Sequence, residues 1–461
     1  MRQERAVWLN PNRPRTRVST AAARFILLTT MIMVGAAIAS AQTVTPLHVR
    51  AERATPIPSV APSTIMAHFG CETRPFDLSA GLFCYGPGAL RKAYGVADLI
   101  ARGYVGKGQT IVIIDAYGSP TAEADLTAFD KVFGLPAPPS FRQIRMPGSA
   151  PFDNTDPNQV GWAEEVSLDV QWSHAIATGA KIIVVAAVTN NDQDILDAQN
   201  YAINHHLGHI MSESFGELEY LETPAILANN EKSYERAQDE DISVFVSAGD
   251  DGATGSDADG HLVLFSTPSY PASSPRVTTV GGTNLFFGTA TNADPNGTYQ
   301  GEVVWNDFGA GGGGVSKVFS TPKYQTKHLP RATLNSLNGF RGYPDLAYNA
   351  GVVGGVIVHL GFLPDPADDG FYTFGGTSAG APQLAAITAI ANQLSGEPLG
   401  FINDNLYELG DEGVLRSVMH DITVGNNDFL GVTGFSATRG WDLVTGWGTP
   451  SRGFAFALGR D

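Results

Sequence analysis

One serine stands in a sequence context that would make it a nucleophile. Ser378 lies in the stretch Gly375–Pro382, whose small residues leave its hydroxyl accessible, and Tyr372–Phe374 leads into it as a predicted strand. The run Gln383–Leu394 predicts that a helix follows, which would place backbone N–H groups beside the hydroxyl. The alternative is an ordinary serine that caps a helix. This motif alone leaves both interpretations open.

Two carboxylates share one face of a second predicted helix. Glu165 and Asp169 are four residues apart, a spacing that brings side chains together on a helix. If this face is buried, the pair shares a proton and one pKa rises, as suits a general base and its partner. The alternative is a solvated acidic face. Glu164 lies about 100° away around the helix and is assigned to that solvated face.

A third acid comes directly after a predicted strand. Asp250 follows the apolar run 242–248, and sites in parallel α/β sheets form at the carboxyl ends of strands. The alternative is a turn, because Asp-Gly is a turn signal. That role fits Asp251 and explains Asp250 less well.

Together, these motifs resemble the sedolisin (serine-carboxyl peptidase) family, whose members have a subtilisin-like fold and a Ser-Glu-Asp triad. The resemblance covers about residues 85–450. It implies that Ser378 is the nucleophile, Glu165 the base, Asp169 the partner of that base, and Asp250 a member of the oxyanion hole. A carboxylate base and a protonated Asp250 both imply activity in acid.

The same resemblance implies one structural Ca²⁺ near the C-terminus. In the family, the ligands come from an Asp-Ile pair and a Gly-x-Gly-x-Asp stretch. The matching residues are Asp421 and Asp442, through their side chains, and Ile422, Thr438 and Gly440, through their carbonyls. Thr438 replaces the first glycine, which a carbonyl ligand tolerates where φ is negative.

The sequence also departs from the family pattern. Many members carry a large folded pro-domain, and residues 42–84 are too few for one. Asp115 stands where some relatives carry a Glu linked to the triad, and Phe215 where relatives often have Trp. The stretch 42–70 is rich in Pro, Ala and Thr and predicts a flexible lead-in.

The elements that must position these residues follow an alternating pattern. Apolar runs are at 108–115, 181–188, 210–214 and 242–248, and helix-length segments are at 119–133, 161–178, 192–206 and 223–239. Continuous apolar strands are covered on both faces, and strand–helix alternation predicts a parallel sheet. We therefore expect an α/β, subtilisin-like three-layer fold: a mainly parallel central sheet flanked by helices. One peptidase domain would span 85–455, with 251–320 read as long loops with short strands.

Composition narrows the function classes. The 461 residues carry 29 Lys+Arg against 46 Asp+Glu, a net charge of −17, which argues against nucleic-acid and anionic-lipid partners. Residues 1–41 begin with an Arg-rich stretch, continue with the apolar run Phe25–Ile38 and end in Ala39–Ala41. This is the pattern of a cleaved signal peptide. The alternative is an uncleaved anchor, but the run is shorter than the roughly 20 residues of a membrane span. Cys71 and Cys84 can form one disulfide in an exported protein, and the sequence leaves open whether they do.

The expectation is therefore a secreted, monomeric, acid-active endopeptidase that cleaves proteins or peptides and has no membrane contact after signal removal. Two alternatives stay open. One is a tripeptidyl peptidase of the same family, which product lengths would distinguish. The other is an inactive exported binding protein on this fold.

Overall fold

The structure, a computed structural model, describes residues 43–56, 67–74, 81–256, 261–288 and 297–459. The predicted signal peptide, residues 1–41, lies outside the described residues. No helix among the described residues is long and apolar enough to cross a membrane.

The strands in chain order are β1 Thr45–Pro46, β2 Val49–Arg53, β3 Cys84–Tyr85, β4 Thr110–Ala116, β5 Phe141–Arg145, β6 Lys181–Ala187, β7 Ile210–Glu213, β8 Phe215–Leu218, β9 Ser243–Ser247, β10 Ser269–Tyr270, β11 Thr278–Gly288, β12 Thr298–Val304, β13 Gly314–Ser320, β14 Phe340–Tyr343, β15 Leu346–Asn349, β16 Gly355–Leu360, β17 Gly370–Gly375, β18 Met419–His420 and β19 Thr449–Pro450. The α-helices are α1 Pro87–Ala93, α2 Ala97–Ala101, α3 Ala122–Phe133, α4 Pro157–Ile176, α5 Asp192–Asn204, α6 Pro224–Asp239, α7 Lys323–His328, α8 Arg331–Ser336, α9 Ala381–Ser395, α10 Asn403–Asp411, α11 Leu415–Val418 and α12 Phe454–Leu458.

A mainly parallel eight-stranded sheet forms the centre of the fold. Its order is β12-β11-β9-β7-β4-β6-β5, with β15 added beside β11. Only the β11–β12 pair is antiparallel among the pairings of this sheet in the described residues. Continuous apolar strands become buried on both faces, as the sequence predicts.

Helices cover both faces of this sheet. Ile111 and Ile113 of β4 pack in the cluster that holds Leu168 of α4 and Leu384 of α9. Val112 and Ile114, which point the other way, pack in the cluster that holds Ile195 of α5 and Leu227 of α6. Because side chains alternate along a strand, β4 alone connects the two helical layers. The predicted three-layer subtilisin-like fold is confirmed.

The predicted flexible lead-in is wrong for residues 43–56. β1 pairs antiparallel with β8, and β2 pairs antiparallel with β17. We call residues 43–53 the strap. Its backbone is held by edge strands elsewhere in the chain, so its own composition carries little periodic signal.

Cys71 and Cys84 form a disulfide, which closes a short loop just before α1.

The described parts of the segment 251–320 contain longer strands than its Gly-rich composition predicts. The 11-residue strand β11 crosses the sheet and pairs with β9, β12 and β15. At Gly281 in this strand, the Pro344 ring packs 2.7 Å from where a Cβ would lie. A larger side chain there would clash, so here glycine indicates close packing rather than a loop.

Candidate active site

Ser378 lies in a tight turn between a strand and a helix, as predicted. β17 ends at Gly375, a 3₁₀ turn covers Thr377–Ala379, and α9 begins at Ala381. Gly376 has φ +108°, and a Cβ on it would be 2.6 Å from both the Leu47 carbonyl oxygen and Oδ2 of Asp250. Glycine is required there because this backbone conformation and the close approach both exclude a side chain.

Asp250 lies directly beside this turn. Its Oδ1 accepts hydrogen bonds from the N–H and the Oγ1–H of Thr377, each at 2.8 Å. Its Oδ2 is buried without a hydrogen-bond partner. Burial, the largest cause, raises the pKa of Asp250 to about 8. The free Oδ2 can therefore carry a proton and donate it to an oxygen in the site.

The predicted acidic pair lies on the buried face of α4. Glu165 and Asp169 are fully buried, and Ser214 Oγ donates to both oxygens of Asp169 at 3.0 and 2.9 Å. Burial, and then the charges of Asp115 and Glu165, raise the pKa of Asp169 well above its ordinary value. The solvated-face alternative is therefore wrong for this pair, and the carboxylates share a dry site.

Asp115 joins the same buried group. It lies near the end of β4 with neither carboxylate oxygen hydrogen-bonded. Burial first, and then the charge of Glu165, raise the pKa of Asp115 well above its ordinary value. The charge of Asp115 also raises the pKa of Asp169, so these two carboxyl groups do not ionise independently.

His48 is a residue at the site that the sequence did not point to. Its Nδ1 lies 2.7 Å from Glu165 Oε2, and its Nε2 lies 3.2 Å from Glu164 Oε2. Burial alone would lower the pKa of His48, but the charge of Glu165 and hydrogen bonds to both glutamates raise it to about 10. The imidazole is therefore protonated at neutral and acid pH. The contact links the strap to α4 across 117 positions, which no local pattern could reveal.

Glu164 is not on a solvated face, so that assignment is wrong. Its side chain is 8% exposed, and Arg50 Nη1 lies 2.8 Å from its Oε1. The strap covers this side of α4 and removes it from water. Helix geometry places Glu164 on a different side of α4 from Asp169, but the helix is buried all round at this position.

The strap lies along β8 as an extended peptide. Leu47 N–H donates to the Ser214 carbonyl at 3.2 Å, and Ser378 N–H donates to the Leu47 carbonyl at 3.0 Å. Further along, Val44 N–H donates to the Asn190 carbonyl at 3.0 Å. Ser378 Oγ donates to the Ser214 carbonyl at 3.3 Å rather than to Glu165. The Leu47 carbonyl thus lies against the backbone N–H of the predicted nucleophile.

The five predicted calcium ligands fall in one loop cluster. Asp442 is 5% exposed and accepts the Thr438 N–H at 2.8 Å, while Asp421 accepts the Gly440 N–H at 3.1 Å. Within the described residues, the carbonyl oxygens of Ile422, Thr438 and Gly440 accept no hydrogen bond. Thr438 does not have a positive φ. Two carboxylates and three open carbonyls are a donor set that fits a hard cation.

This arrangement of fold and site is that of a serine-type peptidase. The sequence profile of the subtilase family matches residues 153–405. Kumamolisin from Bacillus sp. (strain MN-32) is 35% identical over 418 residues, which cover 85% of this chain and 70% of kumamolisin. The chain belongs to the subtilases, in their sedolisin-like branch.

Two further comparisons agree. The structure of Pseudomonas sedolisin, a serine-carboxyl proteinase complexed with two molecules of pseudo-iodotyrostatin, is similar with a TM-score of 0.66 and 25% identity. The alignment covers 80% of this chain and 96% of that one. Tripeptidyl-peptidase 1 from Homo sapiens is 32% identical over 264 residues, covering 53% of this chain and 42% of that protein. As a peptidase of this family, the chain acts on protein or peptide substrates.

Proposed function

We propose that this chain is a secreted, monomeric, acid-active serine-carboxyl endopeptidase. Ser378 attacks the peptide carbonyl, Glu165 accepts the serine proton, and Asp169 holds and tunes Glu165. The amine leaves with that proton, and water then hydrolyses the acyl-enzyme. Secretion is proposed from the signal pattern of residues 1–41.

The observation that carries this proposal is the environment of the Leu47 carbonyl oxygen. It accepts the Ser378 N–H, and it borders Gly376 together with the unpartnered Oδ2 of Asp250. A substrate carbonyl placed there would face two donors once Asp250 is protonated. Donors aimed at a developing oxyanion lower the barrier by several kcal/mol, about 3–4 for a single donor.

Two contacts must change before the reaction. Ser378 Oγ must turn from the Ser214 carbonyl towards Glu165, and Glu165 Oε2 must part from His48. We call the place that the strap occupies along β8 the groove. Glu165 parts from His48 if the strap leaves the groove and a substrate replaces it, and Ser378 Oγ can then turn to the freed carboxylate. The carboxylate is then free to accept a proton.

His48 is a poor candidate for the base. Each of its ring nitrogens faces a glutamate carboxylate, so both nitrogens are donors and neither can accept a proton. His174 is buried elsewhere, with Nε2 2.7 Å from the Pro136 carbonyl. A carboxylate base therefore explains the site better than a histidine base.

The groove favours endopeptidase over tripeptidyl-peptidase activity. If the Leu47 carbonyl marks the scissile position, Thr45, Pro46 and Leu47 fill the three positions before it. Val44 continues beyond them, and its N–H reaches the Asn190 carbonyl. A groove that accepts a fourth residue has no wall after the third, whereas removal of tripeptides requires one.

Ca²⁺ is proposed to bind the C-terminal loops and to stiffen them. Asp421 and Asp442 would hold it through carboxylates, and Ile422, Thr438 and Gly440 through carbonyls. Carboxylates and carbonyls are the ligands that Ca²⁺ prefers.

The alternative of an inactive binding protein is disfavoured because all four catalytic candidates are present and adjacent.

Cleavage products test the proposal. The purified chain and its Ser378→Ala variant are incubated with a mixture of unblocked and N-acetylated peptides at pH 4 and pH 8, and the product masses are read. An endopeptidase gives internal fragments from both sets at pH 4. Tripeptides from unblocked peptides alone would indicate the tripeptidyl alternative, and no Ser378-dependent product at either pH would contradict peptidase activity through this serine.

A further inference from the structure

Three carboxylates that take no part in the proposed catalysis converge beside β8. Asp192 is the first residue of α5, Glu217 lies in β8, and Glu222 follows the 3₁₀ turn Glu219–Leu221. One carboxylate oxygen from each lies within 4.8 Å of the other two. Three separate elements thus bring three negative groups to one point.

These carboxylates lack the partners that buried charges require. Asp192 is 6% exposed and Glu222 8%. Both oxygens of Asp192, and one oxygen each of Glu217 and Glu222, are buried with no hydrogen-bond donor. Across the described ranges, no Lys, Arg or His forms an ion pair with any of the three. A buried carboxylate without a partner is strongly destabilising, so a bound cation would stabilise this cluster.

We infer that Asp192, Glu217 and Glu222 form a second Ca²⁺ site, separate from the C-terminal loops. Three oxygens at most 4.8 Å apart leave a point no more than about 2.8 Å from each, close to the Ca–O range of about 2.3–2.6 Å. Mg²⁺ needs shorter contacts, near 2.0–2.1 Å, and a stricter octahedron. A set made only of oxygens does not favour Zn²⁺, which prefers nitrogen and sulfur.

The site leaves room for the remaining ligands. Ca²⁺ takes six to eight oxygens, and both free oxygens of Asp192 can bind the same ion. Glu217 is partly exposed, and Glu222 lines a surface cavity of about 410 Å³ together with Glu219 and Glu231. Water can reach the ion from this side and complete its shell.

A Ca²⁺ ion at this position would link two separate elements of the fold. Glu217 follows Gly216, which pairs with Thr45 of the strap. An ion held by Glu217, Asp192 and Glu222 ties the end of β8 to the start of α5. Any effect on substrate binding along β8 rests on the proposed function, whereas the binding of Ca²⁺ does not.

Calorimetric titration with Ca²⁺ alone tests the site without reading activity. The full chain carrying Asp421→Asn, which weakens the C-terminal candidate, is stripped with a chelator and titrated at pH 8, because carboxylates must lose their protons to bind metal. We expect one Ca²⁺ per chain in this background, and at least a tenfold loss of affinity when Glu222→Gln is added. Asp239→Asn, an exposed acid on α6, is the matched control and should change nothing.

Glu217→Gln is the second test variant, because its partly exposed side chain is less prone to disturb folding. It should also weaken Ca²⁺ binding at least tenfold, with an unchanged circular dichroism spectrum. No Ca²⁺ binding in the Asp421→Asn background would overturn the inference. So would undiminished affinity in both glutamine variants, which would mean that protons alone neutralise the cluster.

Discussion

His48 Nδ1 lies 2.7 Å from Glu165 Oε2, so a protonated histidine of the strap is paired with the proposed catalytic base. Glu164 extends this pair, because it contacts both His48 and Arg50. The four side chains form one ionic cluster that closes the strap over α4. While it is closed, Glu165 is directed towards His48 rather than towards Ser378.

Weakening this cluster should open the groove. His48→Gln removes the positive charge and both ring donors, so the strap should be displaced more easily and KM for a peptide should fall severalfold at pH 4, with kcat little changed. His205→Gln, at an exposed position, is the control. A loss of kcat as severe as that of Ser378→Ala would instead indicate that His48 is the base.

The carboxylates of α4 should differ sharply in their effects. Glu165→Gln and Asp169→Asn should each lower kcat by about 10²–10⁴, the range for loss of a positioned acid or base. Glu164→Gln should retain most of kcat, because Glu164 contacts the strap and not the Ser378 turn. Steady-state rates of the three isosteric variants provide the measurement, and a Glu164→Gln rate as low as that of Glu165→Gln would contradict the assigned roles.

The C-terminal loops should respond to Ca²⁺. Saturating Ca²⁺ should stabilise the fold by roughly 3–4 kcal/mol at 100–1,000 times Kd, and a chelator should lower Tm accordingly. Asp442→Asn should lose much of this response, whereas Asp428→Asn, an exposed acid in the preceding loop, should keep it. Because the acidic cluster at β8 would add its own response, both variants are compared in the Glu222→Gln background. Equal Tm shifts in the two variants would argue against the C-terminal ligand set.

Stability should fall as pH rises. Asp250 has a pKa of about 8 in the fold and an ordinary one when unfolded, so between these values the native state holds a proton that the unfolded state has lost. This stabilisation is complete below the unfolded pKa of about 4, and is lost as pH rises to about 8. Urea unfolding at pH 4, 6 and 8 measures it. Asp250→Asn should flatten the slope, and an unchanged slope in that variant would contradict the buried protonated state.

Much of the fold was predictable because its signals are local. The segment 161–178 predicted a helix that the structure places at Pro157–Ile176, and the i, i+4 spacing put Glu165 and Asp169 together. The small residues around Ser378 likewise predicted a strand–turn–helix. In each case the pattern of a single element held the information.

The strap was not predictable for the opposite reason. β1 has two residues and β2 five, too few to show periodicity, and their partners β8 and β17 lie far along the chain. The burial of Glu164 depends on this same coverage. A short strand that pairs only with distant strands shows no periodic pattern of its own. The composition of this segment alone therefore predicts a loose lead-in.

The pH dependence of cleavage tests the central claim most directly. Glu165 must accept a proton while Asp250, with its pKa of about 8, must hold one, so Ser378-dependent kcat/KM should follow a bell. Its maximum should lie on the acid side of neutrality, roughly pH 3–6, and its upper limb should fall as Asp250 ionises. The measurement compares the chain with Ser378→Ala from pH 3 to pH 9 on one internally cleaved peptide. Strong cleavage at pH 4 that disappears by pH 9 is the predicted result. Activity that rises through about pH 6.5 and persists at pH 9, with none at pH 4, is the behaviour of a histidine base and would contradict the carboxyl mechanism.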